Sequence, residues 1–214
     1  MDINNFTSGT LLIINSPHPK KPSLQDGKSI AGTEELALVY TESNEWPISS
    51  RTTEAVDAII RVNNSDRTAW SRRALDSNQS TQMNRAMDNM FRLSTEASKI
   101  AIDFTDIHHV LSRAGMGVSV FGKATGAPFL ATQKALRSLD KMIPQSPKQF
   151  ERVLVVIRGA YTSLTSYSDT CALIDSHPRI TDKTLFLAGV IDDEDMKDIM
   201  EVNLTVTWHP DHAA

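Results

Sequence analysis

The stretch Ala101-Ile102-Asp103-Phe104-Thr105-Asp106-Ile107 decides how this 214-residue chain is read. A helical pattern without glycine or proline runs up to it, and alternating helix and strand patterns run from it to the end. Two aspartates three residues apart fall on one face when the second opens a helix. This one segment therefore predicts a helix start and a pair of carboxylates that could form a site.

Working upstream, Met83, Met87, Met90, Leu93, Ala97 and Ile100 recur at three-to-four spacing and predict a helix over Thr81 to Ile100. Ala86 and Phe91 widen the stripe, so cover on more than one side is expected. The methionines are read as core packing rather than as an adaptable binding groove. Earlier still, Thr10 to Ile14, Leu36 to Tyr40 and Ala58 to Val62 have strand chemistry, and Thr52 or Thr53 could cap a short helix over Glu54 to Asp57. Between the first two strands, Ser16-Pro-His-Pro-Lys-Lys-Pro22 imposes an exposed loop.

Downstream, Ile107 to Arg113 continues the helix and Ala114-Gly115 stops it. Gly117 to Phe121 alternates like a strand, Ala131 to Met142 is helical, and Arg152 to Ile157 is a β-branched run typical of a strand buried on both faces. Ser163 to Ser176 is a helix, while Thr184 to Ala188 and Glu201 to Trp208 are strands. The order helix, strand, helix, strand, helix, strand, strand is that of an α/β layer, with the last two strands expected to pair antiparallel.

Composition bounds the function. With 40% hydrophobic and 22% charged residues the chain is an ordinary globular protein, long enough for one large domain or two small ones. A net charge of −4 argues against a dedicated nucleic-acid binder, and Lys20-Lys21 and Arg72-Arg73 are too small to make a basic face. The single cysteine, Cys171, excludes an internal disulfide, fits a reducing cytosol and lies in an apolar helical pattern, as buried filler would. The N-terminus lacks the basic and apolar regions of a signal peptide. Apolar runs such as Val153 to Ile157 fall far short of the roughly 20 residues of a membrane span. A soluble cytoplasmic protein is expected.

Several motifs invite chemistry. Gly117-Val-Ser-Val-Phe-Gly-Lys123 matches the phosphate-loop pattern, but Ala124 stands where the magnesium-binding hydroxyl belongs and the intervening residues are β-formers. A coincidental match within a strand is the better reading. His108 and His109 point about 100° apart on a helix, and His18, His177, His209 and His212 are scattered, so no metal site is expected. Asp192-Asp-Glu-Asp195 lacks the glycine and the twelfth-position glutamate of a calcium loop and reads as a solvated turn.

Taken in order, these segments resemble a known family. Val56 to Asn64, the following helix, Ala101 to Asp106, Gly122-Lys-Ala-Thr-Gly126 and the Asp193 to Asp198 turn are similar to the C-terminal half of the bacterial cell-division GTPase FtsZ, of the tubulin superfamily. The likeness covers roughly residues 35 to 209. It implies that Ala101, Asp103, Thr105 and Asp106 form the synergy loop, the N-x-D-x-x-D segment. In that family this loop enters the nucleotide pocket of the next subunit and helps to position the water that attacks the γ-phosphate. Asp103 and Asp106 match the two acids, and Ala101 replaces the asparagine. The family's glycine-rich phosphate loop has no counterpart, since only about 35 residues precede the strand at Leu36 and no two glycines are adjacent.

The expected fold is α/β, with a truncated N-terminal layer (1–80), a long central helix (81–100) and an FtsZ-like C-terminal domain (101–214) containing a mixed four-stranded sheet. The expected function is protein–protein association without intrinsic GTPase activity or any cofactor or metal. The synergy-loop face would dock on an FtsZ-type partner and cap or modulate a filament. The alternatives are a structural or assembly protein that reuses the fold for its own oligomer or within a larger complex, and a nucleotide hydrolase built on Gly117 to Lys123.

Overall fold

A computed structural model describes residues 10–15, 35–41, 58–62, 82–95, 100, 102–112, 114–126, 128–143 and 147–209. Seven strands form one mixed sheet: β1 (Thr10–Asn15), β2 (Glu35–Thr41), β3 (Ala58–Val62), β4 (Gly115–Thr125), β5 (Arg152–Gly159), β6 (Leu185–Asp192) and β7 (Ile199–Trp208). Their spatial order is β1-β2-β3-β4-β7-β5-β6. The helices are α1 (Gln82–Thr95), α2 (Phe104–Leu111), α3 (Pro128–Met142) and α4 (Leu164–Asp175), with a short 3₁₀ turn at Glu194–Met196.

The C-terminal half has the expected element order, and β4, β7, β5 and β6 form the expected mixed four-stranded sheet. The sheet continues without a break into the N-terminal strands, because β3 pairs in parallel with β4 from Ala58↔Gly115 to Val62↔Ser119. One pairing differs from expectation. β7 does not pair with β6; it runs antiparallel between β4 and β5, and β6 lies beyond β5 and parallel to it. The long strand of alternating residues goes to the middle because both of its faces can be covered there. From Met200 to Trp208 every residue of β7 is buried.

The two faces of the sheet carry separate cores. On one, α3 and α4 cover Val118, Val120, Val153, Val155, Val202, Leu204 and Val206. Close approach is possible because Gly122 has no side chain: a Cβ there would lie 1.9 Å from the Ala131 carbonyl oxygen and 2.5 Å from the Ala135 nitrogen. On the other face, α1 and α2 cover Leu154, Val156 and Ile191, and the same core reaches Ile60 and Val62 of β3. Each large apolar side chain buried in this way contributes about 1.5–3 kcal/mol.

α1 is shorter than the periodicity predicts, ending at Thr95, with residues 96–99 outside the described residues. Met90 and Leu93 are buried as expected, but Phe91 points outward and is 55% exposed. Its place on the inner face is taken by Asn89, which is fully buried. The short helix expected over Glu54 to Asp57 also lies outside the described residues.

Candidate functional site

The Asp103–Asp106 segment is built as a helix start. Asp103 is the N-cap of α2, with extended backbone (φ −100°, ψ 174°). Its Oδ1 accepts a hydrogen bond from the Asp106 N–H at 3.0 Å, and Asp106 Oδ2 accepts one from the Asp103 N–H at 3.2 Å. This reciprocal capping box satisfies two backbone donors that the first turn leaves unpaired. The negative side chains also complement the helix N-terminus. Asp103, Thr105 and Asp106 are all exposed, whereas Ile102, Phe104 and Ile107 anchor the segment in the core. Ala101 lies outside the described residues.

Beneath the segment, β6 provides its seat. Gly189 leaves room for two side chains at once: a Cβ at that position would come within 2.4 Å of Leu93 Cδ1 and 2.6 Å of Ile102 Cδ1. The end of α1 and the start of α2 therefore rest side by side on one glycine. The far end of α2 is held by Arg152, whose guanidinium donates to the carbonyls of Val110 (3.0 Å) and Ser112.

A second polar assembly, which the sequence reading missed, ties α1 to the sheet. Glu201 of β7 is completely buried and lies 3.0 Å from Arg85 Nε and 2.7 Å from Lys123 Nζ. Burial alone would push its carboxyl up, but the charges and hydrogen bonds of Arg85 and Lys123 outweigh that and hold it below the usual range. Arg158 of β5, also buried, donates to Asp193 Oδ2 (2.5 Å), Asp88 Oδ2 (2.8 Å) and Asn89 Oδ1 (2.9 Å). The Asp193 carboxyl is likewise held low, because Arg158 and Arg92 outweigh its partial burial. Asp193, expected in a solvated run, is thus a structural ion-pair partner, and its neighbours Asp192, Glu194 and Asp195 are exposed.

The remaining motifs resolve simply. Gly117 to Lys123 is extended strand, paired with β7 from Gly117↔Thr207 to Lys123↔Glu201, so its backbone is committed to the sheet rather than wrapped around phosphate. Its lysine turns inward to Glu201. His177 is buried, stacks on Phe150 and lies 3.1 Å from Asp140, and His109 is exposed. Among the described residues no His, Cys, Asp or Glu cluster could hold a metal ion, and no helix is long and apolar enough to cross a membrane. Cys171 is half-buried rather than buried, and burial raises its thiol pKa, which disfavours the reactive thiolate.

The geometry has solved counterparts. An empty dimer of M. jannaschii FtsZ is similar with a TM-score of 0.57 and 17% identity, over 73% of this chain and 47% of that one. A point mutant of the same FtsZ is similar with a TM-score of 0.56 and 16% identity, over 75% and 49%. The fold is FtsZ-like. At that identity the likeness is one of fold, and the chain spans about half the length of the FtsZ chains it matches. GDP-form protofilaments of TubZ from Bacillus thuringiensis serovar israelensis match at a TM-score of only 0.45, with 13% identity over 73% of this chain and 44% of that one, which adds no argument. No protein-family model matches the chain, and no curated protein matches it.

Proposed function

We propose that this chain is a non-GTPase, FtsZ-like protein that acts by protein–protein association. Its Ala101–Asp106 segment docks on the nucleotide-bearing face of an FtsZ-type partner and caps or modulates its filament. The observation that carries this reading is the exposure of Asp103, Thr105 and Asp106 at the start of α2, on an FtsZ-like fold. Two carboxylates on an anchored helix start are suited to meeting a metal-bound phosphate on another molecule. Such an interface would bury roughly 1,200–2,000 Å² in total.

The capping box gives the same aspartates a structural use, so alanine substitution would confound binding with loss of the cap. Asp103→Ser together with Asp106→Gln keeps both capping groups and removes both charges. Co-sedimentation with polymerising FtsZ should then fall at least about tenfold, the usual size of an effect from losing charge-assisted contacts at an interface. Binding unchanged by the double substitution would sink the docking reading.

A second reading is self-assembly on the same fold, with the aspartates serving the helix alone. Light scattering of the purified protein without nucleotide separates the two: assembly without FtsZ binding selects the second. Titration calorimetry with GTP and ATP tests the remaining reading, a nucleotide hydrolase built on Gly117 to Lys123, and micromolar affinity for either nucleotide would overturn the absence of a nucleotide site.

A further inference from the structure

α1 is attached to the sheet in two chemically different ways. Along its first two turns and beyond, the attachment is ionic: Arg85 to Glu201, Asp88 and Asn89 to Arg158, and Arg92 to Asp193 at 3.4 Å. Asn89 Nδ2 also approaches Glu201 Oε1 at 3.4 Å, which joins the Glu201 and Arg158 halves into one network. Near its end the attachment is steric, with Leu93 sharing the Gly189 seat with Ile102.

The same network holds the turn between β6 and β7. Arg158 grips Asp193, whose Oδ1 in turn accepts the Asp195 N–H at 3.2 Å, and Arg85 reaches the Met196 sulfur at 3.3 Å. Lys197 completes the turn with a φ of 53°, a positive value uncommon for a non-glycine residue. The helix and the turn are therefore linked directly, by Arg92–Asp193 and Arg85–Met196, and through Arg158, which both contact.

We infer that α1, the Asp193–Asp198 turn and the Ile102–Phe104 entry to α2 open as one cooperative unit, latched by the buried Arg158–Asp193 and Arg85–Glu201–Lys123 pairs. The physical reason is that neither helix nor turn can leave alone. Lifting α1 takes Arg85 from Glu201 and takes Asp88 and Asn89 from Arg158, and withdrawing the turn takes Asp193 from Arg158. Each move leaves a buried charge short of a partner, which is strongly disfavoured. Lifting α1 also removes Leu93 from Gly189 and frees Ile102, so the opening extends to the segment that carries Asp103. As a consequence, a partner seated on Asp103 and Asp106 would slow opening of the acidic turn; this clause alone rests on the docking proposed above.

Native-state hydrogen exchange on the free chain, followed by mass spectrometry against urea, tests the unit without any partner. Amides of α1, of residues 102–104 and of residues 193–198 should converge on one opening isotherm. Arg158→Met should speed exchange in all three segments together, by roughly tenfold or more, while the β5 amides follow a separate isotherm. Asp88→Asn, which removes only a half-exposed partner of Arg158, should produce the same pattern at smaller size. Separate isotherms in the wild-type chain, or acceleration confined to residues 193–198 in either variant, would overturn the inference.

Discussion

Glu201 is the residue on which most depends. A carboxylate at 0% exposure is tolerated because two cations meet it, and removing it leaves Arg85 and Lys123 facing each other across a desolvated gap. Glu201→Ala should cost about 3–5 kcal/mol, read from the urea midpoint at neutral pH. The pH dependence follows in sign. Glu201 and Asp193 are both held below their ordinary values in the folded chain. Their stabilisation is therefore complete above the unfolded carboxylate range, near pH 4, and lost as pH falls through the lower folded values. The urea midpoint should stay level above about pH 5 and drop below it. In Glu201→Gln the drop should be shallower; an unchanged acid limb would reassign it to other carboxylates.

At the scale of elements, the helix starts were readable. A helix start was expected at the Asp103–Asp106 pair and α2 begins there, with the two carboxylates forming a capping box, and Ser163, foreseen at the start of α4, caps it by accepting from the Ser166 N–H at 3.0 Å. The polar partners of α1 were not readable. Glu201, Asn203, Thr205 and Thr207 alternate with apolar residues, a pattern that ordinarily assigns the polar side to water. All four are instead buried, Asn203 and Thr205 by hydrogen bonds to Ser119 at 2.8 and 2.9 Å. Period two reports which residues share a face, not what lies over it. Helix–strand packing yields a further prediction: Gly122→Ala should destabilise the chain by about 3 kcal/mol or more, because its Cβ meets backbone of α3 that cannot rotate away. Circular dichroism melts check it, and a loss under 1 kcal/mol would mean that α3 can shift outward, since ordinary overpacking costs about 1–3 kcal/mol.

For the whole molecule, the joint between halves is the β3–β4 ladder. It makes the N-terminal strands part of the same sheet that carries the FtsZ-like half. Removing residues 1–80 would strip β3 from Gly115 to Ser119, the five residues of β4 that it pairs, and leave them as an edge with an apolar flank and no proline to blunt it. Such a fragment should self-associate through β4, and analytical ultracentrifugation should show a shift to larger species relative to the full chain at the same concentration. A monodisperse fragment would mark the C-terminal half as an independent domain.

The order of elements, their types and a helix start within Asp103–Asp106 were determined by the sequence itself, because periodicity and breakers act over a few residues. The structure places that start at Phe104, with Asp103 as the N-cap, rather than at Asp106. The FtsZ-like character of the C-terminal half was legible for the same reason, through short motifs in a fixed order. Strand order was decided only in three dimensions. β7 lies between β4 and β5 because its two faces both need cover, which neighbours in sequence could not provide. The use of Asp103 and Asp106 was sharpened there too, since each carboxylate closes a hydrogen bond of its own helix while its side chain remains exposed. Finally, the partnership of Glu201 with Arg85, 116 positions away, is a long-range contact that no local pattern encodes. Local physics wrote the elements, and burial chose their neighbours.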